Sequence, residues 1–315
     1  MKLLVLGAGG QVGRELCRLQ WPAGYEIAAC EHAGLDIAQG DQVLAAVAGE
    51  RLDIVINAAA YTAVDRAESE REAAWAVNAA GPANLAAACR DARIPLIHIS
   101  TDYVFDGKKA GAYAESDAIA PLGVYGRSKA SGEAAVRAAA VRHIILRTSW
   151  VYGEFGNNFL KTILRLAQDR DELRIVADQR GCPTSTRDIA EAILRIVPKL
   201  TDDKNLYGTY HFAGTGATTW HGFASRIIEA QAQITGRSPR VTAITTADYP
   251  TAARRPANSV LDCGLFERTF GFRANDWSRE TDAITKKLAG LQRMNIRAAE
   301  LEPRNISCIE GAEGD

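Results

Sequence analysis

The chain has 315 residues, 47% of them hydrophobic, so it can bury a sizeable core without disulfide or metal staples and has room for one large or two smaller domains. Its charges nearly cancel, 37 Lys and Arg against 38 Asp and Glu for a formal net charge of -1, which leaves no electrostatic footprint for nucleic acid or an anionic membrane. No stretch reaches the roughly 18 apolar residues of a membrane span. The apolar run at 3–6 is too short for a signal-peptide core, and Cys17, Cys30, Cys89, Cys182, Cys263 and Cys308 are scattered without a C-x-x-C pair; these features predict a soluble, cytoplasmic protein with reduced thiols.

Short β-branched or leucine-rich runs alternate with longer alanine-rich stretches of helical period, the pattern of βαβ units on a parallel sheet. In chain order the pattern predicts a strand at 3–6, a helix at 11–19, strands at 26–30 and 54–57 separated by a helix at 42–48, a helix at 70–93, a strand at 96–100, a helix at 122–139 and a strand at 144–147. Residues 1–150 therefore read as α/β, a Rossmann-type doubly wound parallel sheet. Beyond Trp150 the regularity loosens to a helix at 158–168, a strand at 173–176 and helices at 188–196 and 220–234. Residues 151–300 read as a smaller mixed α/β lobe, from which some segments are free to return to the first sheet, and the polar, acidic stretch 301–315 reads as a disordered tail.

Gly7-Ala8-Gly9-Gly10-Gln11-Val12-Gly13 follows the first strand at once and opens the first helix. A dinucleotide-binding turn needs that context: one glycine for the tight turn, one for close approach of a pyrophosphate and one for helix against sheet packing, roles for which Gly7, Gly10 and Gly13 are candidates. The helix N-terminus behind them offers free N–H groups and partial positive charge to an anion. An acid at the end of the second strand would select the unphosphorylated dinucleotide, and Cys30-Glu31-His32 places one near that position, so the choice between NADH and NADPH stays open. Asp36-Ile37 fits a contact to adenine and fits a helix cap equally well.

Ligands of open α/β sheets gather at the carboxyl ends of the strands, where the buried run at 96–100 empties into Thr101 and Asp102. Tyr125 and Lys129, four residues apart, share one helix face. Hydride reduction of a ketone leaves negative charge on oxygen, which a phenol can quench with its proton. A free phenol titrates near 10, so a neighbouring cation is expected to bring Tyr125 toward neutrality, and Lys129 is that cation and a partner for ribose hydroxyls. Thr101 would bond the same oxygen. Asn57-Ala58-Ala59-Ala60 ends the preceding strand in small side chains that leave space for a dinucleotide, although a closely packed helix would ask for the same residues.

With the glycine turn, Ser100-Thr101 and Tyr125-x-x-x-Lys129 in this order, the first half resembles the extended short-chain dehydrogenase/reductase superfamily. Asn57-Ala58-Ala59-Ala60-Tyr61-Thr62-Ala63-Val64-Asp65, Ser100-Thr101-Asp102-Tyr103-Val104-Phe105-Asp106-Gly107, Arg147-Thr148-Ser149-Trp150-Val151-Tyr152 and Arg255-Pro256-Ala257-Asn258-Ser259 narrow the resemblance to the dTDP-4-dehydrorhamnose reductase family, over about residues 1–290. The resemblance implies NADH- or NADPH-dependent reduction of the C4 ketone of dTDP-4-dehydro-L-rhamnose, feeding cell-surface polysaccharide. It implies Thr101, Tyr125 and Lys129 as the catalytic set, and Gly7, Gly10, Gln11, Val12, Gly13, Asp36, Ile37, Ala58, Ala59 and Ala60 at the dinucleotide. It also implies Thr62, Val64, Thr101, Asp102, Tyr103 and Trp150 at the nucleotide sugar, with Arg255 as a partner for its diphosphate. Trp150 reads equally as a core aromatic.

The sequence departs from the family in two places. Cys30 falls where relatives often carry an aspartate. Glu15 falls at a position through which some relatives dimerise around magnesium, but no full ligand set is visible, so a homodimer is allowed and no required metal is expected. Two rival readings share these motifs. Nucleotide-sugar 4,6-dehydratases carry a second carboxylate after the aspartate, where this chain has Tyr103, and a regulatory subunit of methionine adenosyltransferase resembles the same family without sugar turnover.

Overall fold

The computed structural model describes residues 1–49, 51–139, 142–201 and 206–301, so the expected tail lies outside the described residues from 302 onward. The first half runs β1 (Lys2–Leu6), α1 (Gln11–Arg18), β2 (Glu26–Cys30), α2 (Gly40–Gly49), β3 (Ile54–Asn57), α3 (Arg71–Trp75), a π-helical turn at Ala76–Ala80, α4 (Gly81–Ala92), β4 (Leu96–Thr101), α5 (Val124–Ala139) and β5 (His143–Thr148). The second half runs β6 (Val151–Tyr152), α6 (Phe159–Asp169), β7 (Glu172–Val176), β8 (Arg180–Gly181), β9 (Thr184–Ser185), α7 (Thr186–Ile196), β10 (Gly208–His211), β11 (Thr218–Thr219), α8 (Trp220–Thr235), β12 (Arg240–Ile244), α9 (Gly264–Phe270) and α10 (Trp277–Leu301).

Six parallel strands make one doubly wound sheet in the order β2-β1-β3-β4-β5-β10, reversing direction of growth between β1 and β3. The apolar runs predicted its first five strands because a sheet covered on both faces needs hydrophobic residues at every position, not every second one. Leu3, Val5, Ile54, Ile56, Ile97, Ile144 and Leu146 bury one face beneath α1, α7 and α9. Leu4, Leu6, Val55, Leu96 and Ile145 bury the other beneath α2, α4 and α5. Full burial of each such side chain contributes about 1.5–3 kcal/mol.

A third cluster, built on Tyr152, Leu160, Ile163, Leu164, Phe223, Ile227 and Ile228, forms the core of the smaller mixed α/β lobe. Its helices start where side chains cap them: Asn158 accepts from the Lys161 N–H, Ser185 from Asp188 and Thr219 from Gly222. Among the described residues no disulfide joins the five cysteines, and no helix is long and apolar enough to cross a membrane.

Candidate active site

The glycine turn is built by close contact. Gly7 adopts φ +74°, and a Cβ there would lie 2.6 Å from the Ala59 nitrogen, so the turn after β1 and the Ala58-Ala59 turn after β3 pack backbone to backbone. A Cβ on Gly13 would lie 2.1 Å from the Gly7 carbonyl oxygen. Only glycine therefore lets α1 start against the end of β1. Gly13→Ala is expected to destabilise the fold by about 1–3 kcal/mol through overpacking, seen as a lowered urea midpoint; an unchanged midpoint would show that α1 can shift freely.

At this turn Gln11 and Val12 offer backbone rather than side chain. The Gln11 amide accepts from Asn158 Nδ2 at 3.0 Å, and Val12 packs on the core. The Glu31 carboxylate overhangs the turn, with its Cδ 3.0 Å from where a Gly9 Cβ would stand. Asp36 closes its own turn by accepting from the Ala38 N–H at 3.0 Å, and Ile37 is buried against Gly81. Ala58 and Ala59 are tied down by the Leu6 carbonyl and the Asn57 side chain, and Ala60 is half-buried. Asn57 uses its amide NH₂ on His98 Nδ1 at 3.0 Å, and burial holds that imidazole neutral. A cradle that admits no side chain, at a helix N-terminus with uncommitted N–H groups, fits a dinucleotide diphosphate.

On the same sheet edge, β4 delivers Thr101 and Asp102. Thr101 Oγ1 donates to Asp102 Oδ1 at 3.0 Å and accepts from the Tyr103 N–H at 3.2 Å. Helix α5 meets this turn at Gly126, where a Cβ would stand 2.3 Å from the Tyr103 carbonyl oxygen. That contact sets Tyr125 beside Thr101, whose hydroxyl acts on the phenol, and edge-on to the Tyr103 ring at 5.7 Å. One turn on, Lys129 is 2% exposed and its ammonium donates to the Ile99 carbonyl at 2.7 Å.

Burial dominates the electrostatics here. It pushes the Tyr125 phenol up to about 12, with the Thr101 hydroxyl opposing and the Asp102 charge adding, and it pushes Lys129 down to about 8 against the pull of Glu133. The expectation that Lys129 brings the phenol toward neutrality is not the balance found: the loss of water around the phenol is the larger effect. The phenol is a fully protonated acid at neutral pH.

Residues proposed from the sequence for the sugar spread over two regions. Val64, Tyr103 and Tyr125 line one small cavity with Ala253, Arg254 and Pro256, and Thr62 is exposed just outside β3. Asp102 is 2% exposed and sealed beneath Thr101. Arg255 forms a two-pronged ion pair with Asp65, at 3.1 and 2.7 Å, so a diphosphate there would share its guanidinium. Trp150 holds a strained left-handed φ of +46°, is stacked on Trp220 at 3.5 Å and is backed by Gly181, where a Cβ would be 2.4 Å from the indole Cε2. That packing is what the core reading of Trp150 asks for.

Glu15 accepts from Thr186 at 3.1 Å and borders a cavity of about 160 Å³ in which Arg187 and Lys287 stand among Glu154 and Glu280. Among the described residues no group of three or more His, Cys, Asp or Glu side chains stands ready to hold a metal.

Sequence reasoning overlooked two supports of the site. Asn78, in the π-helical turn, accepts from the Tyr61 N–H, donates to the Tyr61 carbonyl and to Ser128 Oγ, and so ties the turn after β3 to the helix carrying Tyr125. A π-turn inside a long helix is a recurrent functional feature, but composition does not reveal it. Glu133 is fully buried one turn beyond Lys129 and pairs with Arg147 of β5. Its spacing from Tyr125 and Lys129 was the available signal.

Residues 1–289 match the family model described as the RmlD substrate binding domain. The chain is similar to a dTDP-4-dehydrorhamnose reductase of Aggregatibacter actinomycetemcomitans, 48% identical over 282 residues, covering 88% of this chain and 96% of the relative. It is similar in structure to a dTDP-4-dehydrorhamnose reductase from Clostridium acetobutylicum, with TM-score 0.84, 39% identity and coverage of 91% of this chain and 99% of that one. It is also similar to the Bacillus anthracis dTDP-4-dehydrorhamnose reductase solved in complex with NADP, with TM-score 0.83, 36% identity and the same coverages of 91% and 99%. The glycine cradle, the Thr101, Tyr125 and Lys129 cluster and these matches agree, and the chain belongs to the dTDP-4-dehydrorhamnose reductase family of oxidoreductases.

Proposed function

We propose that the chain reduces the C4 ketone of dTDP-4-dehydro-L-rhamnose to give dTDP-L-rhamnose. The observation that carries this reading is the convergence of Thr101, Tyr125 and Lys129 at the carboxyl end of β4, on the sheet edge that also presents the glycine turn. Residues 1–150 supply the dinucleotide site and the side chains at the ketone, and residues 151–300, Arg255 among them, supply the lobe that meets the rest of the nucleotide sugar. Gly7 and Gly10 give the dinucleotide diphosphate close approach and Gln11, Val12 and Gly13 turn backbone N–H groups to it, beside Ala58, Ala59 and Ala60. A reduced nicotinamide dinucleotide held there supplies the hydride.

Tyr125 then gives its phenolic proton to the carbonyl oxygen as negative charge builds on it, and Thr101 bonds the same oxygen. The Lys129 ammonium stabilises the phenolate left behind and bonds ribose hydroxyls. Val64 and Tyr103 border the place where the ketone meets Tyr125. Tyr103 stands where a dehydratase would carry its second carboxylate, and its phenol is pushed up by burial, so it is no base for an elimination. Glu31 over the turn repels an added phosphate and favours NADH over NADPH.

Purified protein, supplied with enzymatically generated dTDP-4-dehydro-L-rhamnose and each reduced cofactor in turn, is expected to consume nicotinamide absorbance in step with dTDP-L-rhamnose resolved by chromatography, faster at equal concentration with NADH. Absence of consumption with either cofactor would overturn the reading.

A further inference from the structure

Asp102 is a buried carboxylic acid that, among the described residues, forms no ion pair. Thr101 Oγ1 donates to its Oδ1 at 3.0 Å and Ser149 Oγ donates to its Oδ2 at 3.1 Å, while the Ser259 hydroxyl, which donates to the Arg180 carbonyl at 3.4 Å, is near enough to oppose its rise. The titratable groups that act on it from the packed elements are Tyr103 in its own turn, Tyr125 on α5 and Cys182 after β8, each kept neutral by burial. Arg255, which acts on Tyr103, is committed to Asp65.

Thr101 has a single hydroxyl hydrogen and two claimants for it. One lone pair of Oγ1 is already taken by the Tyr103 N–H. When Asp102 is ionised it can only accept, so it takes the Thr101 hydrogen and leaves a lone pair facing the Tyr125 oxygen. When Asp102 is protonated it can donate to Thr101, and Thr101 is released to donate toward Tyr125 and the reacting carbonyl oxygen. An oxygen gaining negative charge is stabilised by the second arrangement and repelled by the first.

We propose that Asp102 is a positioning acid whose own proton decides whether Thr101 presents the reaction centre with a hydrogen or a lone pair. The role is distinct from contact with the sugar, which its burial beneath Thr101 opposes. The setting supports it: burial raises this carboxyl to about 6, with the Ser259, Thr101 and Ser149 hydroxyls opposing the rise. The proposal rests on the reduction assigned above.

The test is the pH profile of single-turnover reduction from pH 5 to 8, with wild type, Asp102→Asn and Ser149→Ala. Wild-type rate is expected to fall by roughly one to two orders of magnitude to a lower plateau as pH rises through the region of Asp102 ionisation, the size of one lost oxyanion donor. Asp102→Asn, whose amide can donate to Thr101 at every pH, flattens that step without raising KM. Ser149→Ala removes a donor to the carboxylate and moves the step to higher pH. A step that survives Asp102→Asn, or one that Ser149→Ala does not move, overturns the proposal, as does a rise in KM with the profile intact, which would mark a sugar contact. Infrared titration without substrate gives a readout that needs no turnover: a protonated-carboxyl band is expected in wild type and not in Asp102→Asn. The band with no turnover by wild type would refute the assigned reaction, while turnover without band or step would refute this role.

Discussion

Tyr125→Phe is expected to lower turnover by roughly two to four orders of magnitude while sparing dinucleotide binding, because it deletes one oxygen and its proton and nothing of the glycine cradle. The phenol suits the task of an acid: burial keeps it protonated up to about 12, so it meets the carbonyl oxygen with its hydrogen in place throughout the working range. Its proton becomes transferable when the ketone oxygen gains charge, and the phenolate then needs the nearby ammonium. Lys129 is depressed to about 8, so its charge is present below that pH and lost as pH rises through it. Turnover of the wild type is therefore expected to fall on the alkaline side near pH 8, well before the phenol itself titrates. Stopped-flow single turnovers, with dinucleotide affinity measured separately by nicotinamide fluorescence, separate the two effects. Near-normal chemistry in Tyr125→Phe would remove the proton-donor role, and a weakened dinucleotide with intact chemistry would make Tyr125 a cofactor contact only.

The first half of the fold was legible because burial on both sheet faces writes itself as continuous apolar runs, and the predicted strands at 54–57 and 26–30 match β3 and β2 residue for residue. The strand predicted at 144–147 extends to His143–Thr148, since Thr148 pairs with Thr101 at the sheet edge even though its side chain is polar. β10, Gly208–His211, carries no apolar run that would announce it: it joins the sheet beside β5 from some sixty residues away, and its buried His211 is satisfied by Tyr113, Glu115 and Arg147 rather than by apolar packing. The long helix expected at 70–93 is interrupted at Ala76–Ala80, where alanines and a valine conceal the one side chain that matters, Asn78. At the site, the glycine spacing and the tyrosine and lysine on one helix face were visible, because their physical reasons are local. What was not visible was the packing that sets titration: no pattern in the sequence says that Lys129 is buried and Tyr125 half-buried, a packing that raises the phenol and lowers the ammonium.

The largest effect on stability is expected from Glu133→Gln. Glu133 is fully buried and Arg147 is 3% exposed; they meet through two bonds, Nε to Oε1 at 2.9 Å and Nη2 to Oε2 at 2.7 Å. Ser100 donates to the same carboxylate at 2.6 Å, and the guanidinium lies 5.2 Å from the Phe105 ring centre and 3.3 Å from His211 Nε2. Burial alone would raise the Glu133 carboxyl, but the bonds and charge of Arg147, with Ser100 and Arg137, outweigh it and hold the group below the ordinary range. Its stabilising contribution is therefore present above the unfolded glutamate pKa of about 4.3 and lost as pH falls below it. The amide of Glu133→Gln keeps the shape and leaves the guanidinium buried without its counter-charge, which costs about 3–5 kcal/mol. Adding Arg147→Met removes that stranded charge, so the double variant is expected to be more stable than Glu133→Gln, a non-additivity that urea denaturation with unchanged m-values would report. Glu133 also acts one turn along α5, where its charge raises Lys129. Neutralising it should move the alkaline fall in turnover to lower pH in the fraction that remains folded. A stability loss without that shift would confine the ion pair to scaffolding, while the two together would make the buried pair the means by which β5 sets the charge on the lysine beside Tyr125.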